Sequence, residues 1–133
     1  MADELIRKIE LAIANADAVL LERLVRENTD DVQVMSELDE LLLVAVKCAC
    51  RRCVEVLLDA GANVDGSDQQ GNTAVFWATT MNNVDIVIQL LAHGANPSQV
   101  NDDGHNAIYQ SRLWQRQEIE SIFYARATNN GLP

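Results

Sequence analysis

The chain has 133 residues, a net charge of −10 and few aromatics, which suits a single compact domain. No apolar run approaches the about 20 residues that span a bilayer, and Asp3 and Glu4 stand where a signal peptide carries bases, so neither a transmembrane span nor a leader is expected. From Cys53 to Ser111 there is no Lys or Arg, which weighs against binding DNA, RNA or an anionic membrane surface and favours a protein partner with a basic face.

The elements read in chain order as paired helices. Leu5, Ile6, Ile9, Ala12 and Ile13 recur at helical spacing. Asn15-Ala16-Asp17 turns the chain, with Asp17 placed to cap a second helix carrying Val19, Leu20, Leu21, Leu24 and Val25. Ser36-Glu37-Leu38-Asp39 resembles a capping box with Asp in place of Glu, and predicts a helix from Leu41 to Ala49. Cys53, Val54, Val56, Leu57 and Leu58 predict the next, ended by Gly61. Asp68-Gln69-Gln70-Gly71 offers a turn, after which Thr73 can cap a helix bearing Ala74, Val75, Trp77 and Ala78. Asn82-Asn83 breaks that helix. Val84, Ile86, Val87, Leu90 and Leu91 form the buried side of another, closed by an αL cap at Gly94 and barred from continuing by Pro97. Ile108 and Leu113 mark one more helix, and Ile119, Ile122, Phe123 and Tyr124 the last. The polar set Gln117, Glu118, Glu120 and Ser121 suits an end unit facing water. Phe123 and Tyr124 are expected to be only partly covered, which leaves self-association open, and Thr128 to Pro133 is expected to fray.

These pairs return at a fixed interval. Gly61-Ala62-Asn63 recurs as Gly94-Ala95-Asn96, 33 residues on. Leu57-Leu58 recurs as Leu90-Leu91, Gly71 as Gly104, and Asp68 as Asn101 at the same offset, while Ala12, Ala45 and Ala78 form one series. A period of this size marks a stacked repeat protein, whose usual task is to hold another macromolecule. The units fall at about residues 2–34, 35–67, 68–100 and 101–133, read as a single domain.

The pattern resembles the ankyrin repeat. Asp68, Gly71, Thr73, Ala78, Ile86, Val87, Leu90, Leu91, Gly94, Ala95 and Asn96 match that family's unit, and Ala45, Val54, Leu57, Leu58, Gly61, Ala62 and Asn63 match in the preceding one. In the last unit Gly104 and Ile119 remain. The resemblance covers essentially the whole chain and implies an all-α ankyrin-repeat solenoid of stacked antiparallel helix pairs with short β-turn fingers. The chain departs from the family where Ala74 and Phe76 replace Pro and His, and where Asn106-Ala107-Ile108-Tyr109 replaces Thr-Pro-Leu-His. Leu38 replaces the turn Gly of the second unit, so the stretch Thr29–Met35 is not expected to form a projecting finger.

In that family the fingers and inner helices line a concave groove. Carried onto this chain, the groove positions are Ser36, Glu37, Asp39 and Lys47 in the second unit, and Gln69, Gln70, Asn72, Thr80 and Met81 in the third. The fourth supplies Asp102, Asp103, His105, Leu113 and Trp114. Such a groove is acidic at both ends and polar in the middle. Trp114 reads either as a binding anchor or as a packing residue, and Trp77 reads first as packing. The base-free run Glu27, Asp30, Asp31, Glu37, Asp39, Glu40 is either a solvated loop or a docking patch for Lys and Arg.

Cys48, Cys50 and Cys53 have zinc-like spacing, but no fourth ligand lies nearby in sequence, and small buried thiols account for them; their odd number and bunching favour a reducing, intracellular compartment, cytoplasmic or nuclear. Arg51 and Arg52 beside Cys50 leave a redox role as a lesser alternative. Asp102-Asp103-Gly104-His105 mixes acid and base groups, yet it falls on a repeat turn, and no nucleophile or phosphate-binding motif accompanies it. No catalysis, cofactor or metal is expected. The expected role is a protein-binding adaptor or scaffold subunit. The alternative is a stoichiometric inhibitor or regulatory subunit of a kinase or other enzyme, since the four-repeat inhibitors of cyclin-dependent kinases are similar in size.

Overall fold

The computed structural model describes residues 2–131, with side chains described over residues 4–127. The described residues form nine helices: α1 (Ala2–Ala14), α2 (Ala18–Glu27), α3 (Val32–Ser36), α4 (Leu38–Lys47), α5 (Arg51–Asp59), α6 (Ala74–Thr80), α7 (Val84–Ala92), α8 (Ala107–Leu113) and α9 (Gln117–Gly131). Helices α1/α2, α4/α5, α6/α7 and α8/α9 pair as hairpins. The first members stack in one row (α1, α4, α6, α8) and the second members in another (α2, α5, α7, α9). No described helix is long and apolar enough to cross a membrane.

One backbone device builds all four hairpins. Ala16, Ala49, Asn82 and Gln115, each 33 positions after the last, hold φ between 54 and 58°. At each, two hydrogen bonds close the first helix. In the first hairpin these run from Ala16 N to Ile13 O (2.9 Å) and from Asp17 N to Ala12 O (2.8 Å). The second bond recurs from Cys50 to Ala45, Asn83 to Ala78 and Arg116 to Ser111. The small residues Ala12, Ala45, Ala78 and Ser111 are buried, so the alanine series marks where the chain folds back tightly on its own helix end. The next residue then caps the second helix: Asp17 accepts from Leu20 N, Cys50 from Cys53 N and Asn83 from Ile86 N. Gly61 and Gly94 close the second helices in the same manner, with Ala62 N bonded to Leu57 O and Ala95 N to Leu90 O.

The core is one continuous aliphatic seam. Ile9, Ile13, Leu21, Leu41, Leu42, Leu57, Ile86, Leu90, Leu91 and Ile119 are its largest fully buried side chains. Each such residue contributes about 1.5–3 kcal/mol of burial, which is what holds helices too short to persist alone.

Several details differ from the sequence reading. The capping box at Ser36 does not form. Asp31 instead caps a short helix, accepting from Gln33 N and Val34 N, and the Ser36 hydroxyl donates back to Gln33 O. The stretch Thr29–Met35 therefore carries α3 in place of a loop, and α4 begins at Leu38 rather than Leu41 because Glu37 already stands at its cap position. Replacing Pro and His at 74 and 76 leaves the α6 cap intact: Thr73 Oγ1 accepts from Phe76 N at 3.3 Å. Asn106 does the same for α8, accepting from Tyr109 N at 2.8 Å. Phe123 is buried rather than partly covered, whereas Tyr124 is open. The tail expected to fray is helical in backbone as far as Gly131, and Leu132 and Pro133 lie outside the described residues.

Candidate protein-binding face

Two fingers project before α6 and α8, and both are built on one side-chain-directed turn. The Asp68 carboxylate accepts from Gln70 N (3.0 Å) and Asn72 N (2.9 Å), while Gly71 N bonds to Asp68 O with φ at +81°. Asn101 repeats this: its Oδ1 accepts from Asp103 N and His105 N. The fingers lock to each other through Asn101 Nδ2 to Asn72 Oδ1 (2.8 Å) and Asp102 N to Gln70 O (2.9 Å). A Cβ at Gly71 would come within 3.1 Å of Asn101 Cα. Glycine there is thus required twice, by conformation and by the neighbouring finger.

Asp68 also accepts the Trp77 indole N–H through Oδ2 at 3.0 Å. Burial pushes its carboxyl up, but the hydrogen bonds from Asn72 N, the Trp77 indole and Gln70 N outweigh it, and the group titrates below an ordinary Asp. The Trp77 ring meets Phe76 edge-on and carries the Lys47 ammonium over its face, 4.5 Å from the ring centroid. Trp77 is therefore packed and half-open at once. Beside it a recess of about 450 Å³ lies between α4 and the finger, lined by Glu40, Leu43, Val44, Lys47 and Ser67 to Gln70.

The residues carried over from the groove separate into two groups. Gln69, Gln70, Met81, Asp102, Asp103, Leu113 and Trp114 are exposed. Trp114, at 51% exposure, and Leu113, at 54%, are more open than Met81, the other large apolar side chain of this set, and both sit at the end of α8. His105 stacks on Tyr109 with centroids 4.2 Å apart.

Others have side chains committed inside the stack. Asp39 Oδ1 accepts from Asn63 N at 2.7 Å, Asn72 joins the fingers, and the Thr80 hydroxyl accepts from Gln110 Nε2 at 2.9 Å while donating to Phe76 O. Glu37 accepts from Gln33 Nε2 at 3.3 Å. The acidic run is split in the same way, since Asp31 and Asp39 serve as caps and Glu27, Asp30 and Glu40 are exposed.

Three features were missed in the sequence. Asp65 Oδ1 accepts from Asn96 N, the counterpart of Asp39 and Asn63. The Arg116 guanidinium donates to Thr80 O, and that of Arg126 to Leu91 O. On the second row of helices, Glu55 gathers Gln89 (2.9 Å) and His93 (3.2 Å). The Gln89 amide holds the Glu55 carboxyl below its ordinary value against the upward push of burial, with His93 adding to the effect. Asp39 and Asp65 are not separated by the 33-residue interval, which hid the first; Arg116 and Arg126 reach distant carbonyls, and Glu55 meets side chains 34 and 38 residues on.

The cysteines differ from the expectation of separate buried thiols. Cys50 and Cys53 are paired as a disulfide, with Cα atoms 5.2 Å apart. The first turn of α5 imposes that approach, because the cap residue and the third helical residue share a face. Cys48 is free and exposed. Among the described residues no three His, Cys, Asp or Glu gather as a metal site.

The sequence model for ankyrin repeats in three copies matches residues 9–119. Among curated proteins, human neurogenic locus notch homolog protein 1 is 32% identical over 93 residues, covering 68% of this chain and 4% of that protein. The mouse protein of the same name is 30% identical over 100 residues, 74% of this chain and 4% of its own length. Human neurogenic locus notch homolog protein 2 is 29% identical over 89 residues, again 4% of its length. The chain thus spans only a small part of the curated relatives it matches.

Proposed function

Because the chain belongs to the ankyrin-repeat family, whose members are protein–protein interaction modules, we propose that it is an intracellular adaptor or scaffold subunit. Its binding face is the side formed by the fingers and by the first-row helices α4, α6 and α8. The observation that carries this reading is the division of labour among the groove residues. Asn72 and Thr80 hold neighbouring units together and Asp39 ties α4 to the turn at Asn63, while Gln69, Gln70, Met81, Asp102, Asp103, Leu113 and Trp114 are left exposed. The internal bonds fix the backbone, so the open side chains are presented with little ordering cost on binding. Trp114 and Leu113 supply the apolar anchor.

The partner has a basic face. Support comes from the charge of −10 and from the exposed acids Glu40, Asp102 and Asp103 at either end of the binding side, which would speed encounter and select a partner of opposite charge. The compartment is cytoplasmic or nuclear; an exposed free Cys48 suits a reducing environment, in which the Cys50–Cys53 disulfide would be reduced to two thiols.

The test is binding of a captured partner at low and high salt. Affinity falling with salt and lost in Asp102→Lys with Asp103→Lys supports the electrostatic part of the reading, because exposed charges are screened within about 8–10 Å at physiological salt. Affinity indifferent to both removes it. Measuring the turnover of an enzymatic partner with and without the chain then separates an adaptor, which leaves turnover unchanged, from an inhibitor or regulatory subunit.

A further inference from the structure

We propose that the recess between α4 and the finger Ser67–Gln70 is a subsite for an arginine side chain of the partner, and that Lys47 plugs it in the free protein. The assignment rests on the reading of this side as the binding face, and adds the chemistry of one contact.

The recess is lined by a cation of the chain itself, Lys47. Lys47 Nζ stands 4.5 Å from the Trp77 centroid, and the ring is held in place from the other end by its indole bond to Asp68. Ring position is therefore set by the finger and not by Lys47. The aliphatic wall comes from Leu43 and Val44, which suits the stem of a long basic side chain. Glu40 lies one helical turn before Val44 on the same recess. It is exposed, with no hydrogen-bond or ion-pair partner among the described residues. The Trp77 face lies under Lys47, which lines the recess, so a side chain that displaces Lys47 meets the ring beside the Glu40 carboxylate; that pairing suits a guanidinium, which stacks on the ring and forks to the carboxylate.

Lys47 is a weak plug. It is exposed, its stem is flexible, and its ammonium is more strongly hydrated than a guanidinium. It is the one basic residue among those lining the recess. Asp68 is not available to the incoming group, since both its oxygens are taken by Gln70, Asn72 and Trp77. Its part is to hold the ring.

The probe is the peptide acetyl-Gly-Arg-Gly-amide, titrated into the Trp114→Phe protein and followed by the NMR signal of the one remaining indole N–H. Acetyl-Gly-Gly-Gly-amide is the blank. The expected result is a saturable shift with the arginine peptide alone, tightened about 2- to 5-fold by Lys47→Ala and weakened by Glu40→Gln. Lys47→Arg, a better plug, is expected to weaken it as well. No saturable shift in Lys47→Ala, with the fold intact by circular dichroism, overturns the assignment, as does an equal response to the glycine peptide. The titration uses no natural partner, so its failure leaves the binding face standing. That face fails only if partner capture ignores its substitution.

Discussion

Trp77 donates its indole N–H to Asp68 across nine residues, at 3.0 Å, so the residue that shapes the finger also sets the aromatic ring on the proposed binding side. Finger and first-row helix are thereby one rigid unit. Removing either partner would loosen both.

That bond predicts a pH dependence. The Asp68 carboxyl titrates below its ordinary value in the folded chain. A depressed folded value means that its stabilisation is fully present above the unfolded value, about 3.9, and is lost as pH falls through the lower folded one. Asp68→Asn is expected to be less stable than the parent at pH 7, and the gap should narrow at pH 3. Urea titrations at the two pH values check it. A gap that stays constant would remove Asp68 ionisation from the account.

The hairpin turns predict a stabilising substitution. Ala49 is held at φ 58°, where an L side chain is strained and glycine is not. Ala49→Gly should stabilise by about 1 kcal/mol. The control is Ala125→Gly, on the exposed face of α9, which should destabilise by about 1 kcal/mol. Thermal unfolding of both decides; destabilisation at Ala49 would contradict the turn geometry.

Cys50 stands at the cap position that Asp17 and Asn83 fill in neighbouring hairpins, and sulfur is a weak acceptor. In reducing buffer Cys50→Asn should raise stability by about 0.5–1 kcal/mol. In the parent protein iodoacetamide should label Cys48 first, since it is the exposed free thiol. Once the Cys50–Cys53 disulfide is reduced, labelling of Cys53 at the same rate would show that the first turn of α5 opens.

Asp39 and Glu37 are neighbouring acids with unlike duties. Asp39 accepts from Asn63 N, 24 residues away, and Asp39→Ala should cost about 1–2 kcal/mol. Glu37→Gln should stay within about 0.5 kcal/mol. Charge reversal at both positions together would therefore mix lost stability with lost charge, and only positions such as Asp102 and Asp103 test electrostatics cleanly.

Much of this architecture was legible because it rests on local chemistry. Gly61 and Gly94 end helices, Asp17 and Thr73 cap them, and Leu90-Leu91 packs the seam; each follows from a residue and its immediate neighbours. The positive φ at Ala16, Ala49 and Gln115 was not legible, since nothing in alanine or glutamine announces it; tertiary packing imposes it. Helix α3 hid behind a sequence without apolar periodicity. The commitment of Asp39, Asn72 and Thr80 depends on partners 24 to 30 residues away, a distance at which a residue type says little about what it will meet. Family position offered a set of groove candidates, and only the structure divided those bonded within the stack from those left open.

The most direct measurement is capture of partners from lysate of the source cell on three immobilised proteins. These are the parent, a binding-side variant (Gln70→Ala, Leu113→Ala and Trp114→Ala) and a second-row control (Ile88→Ala and Tyr124→Ala), all five residues being exposed. The account predicts a protein retained by the parent and the control and lost by the binding-side variant. Retention by all three, or loss only in the control, would contradict it.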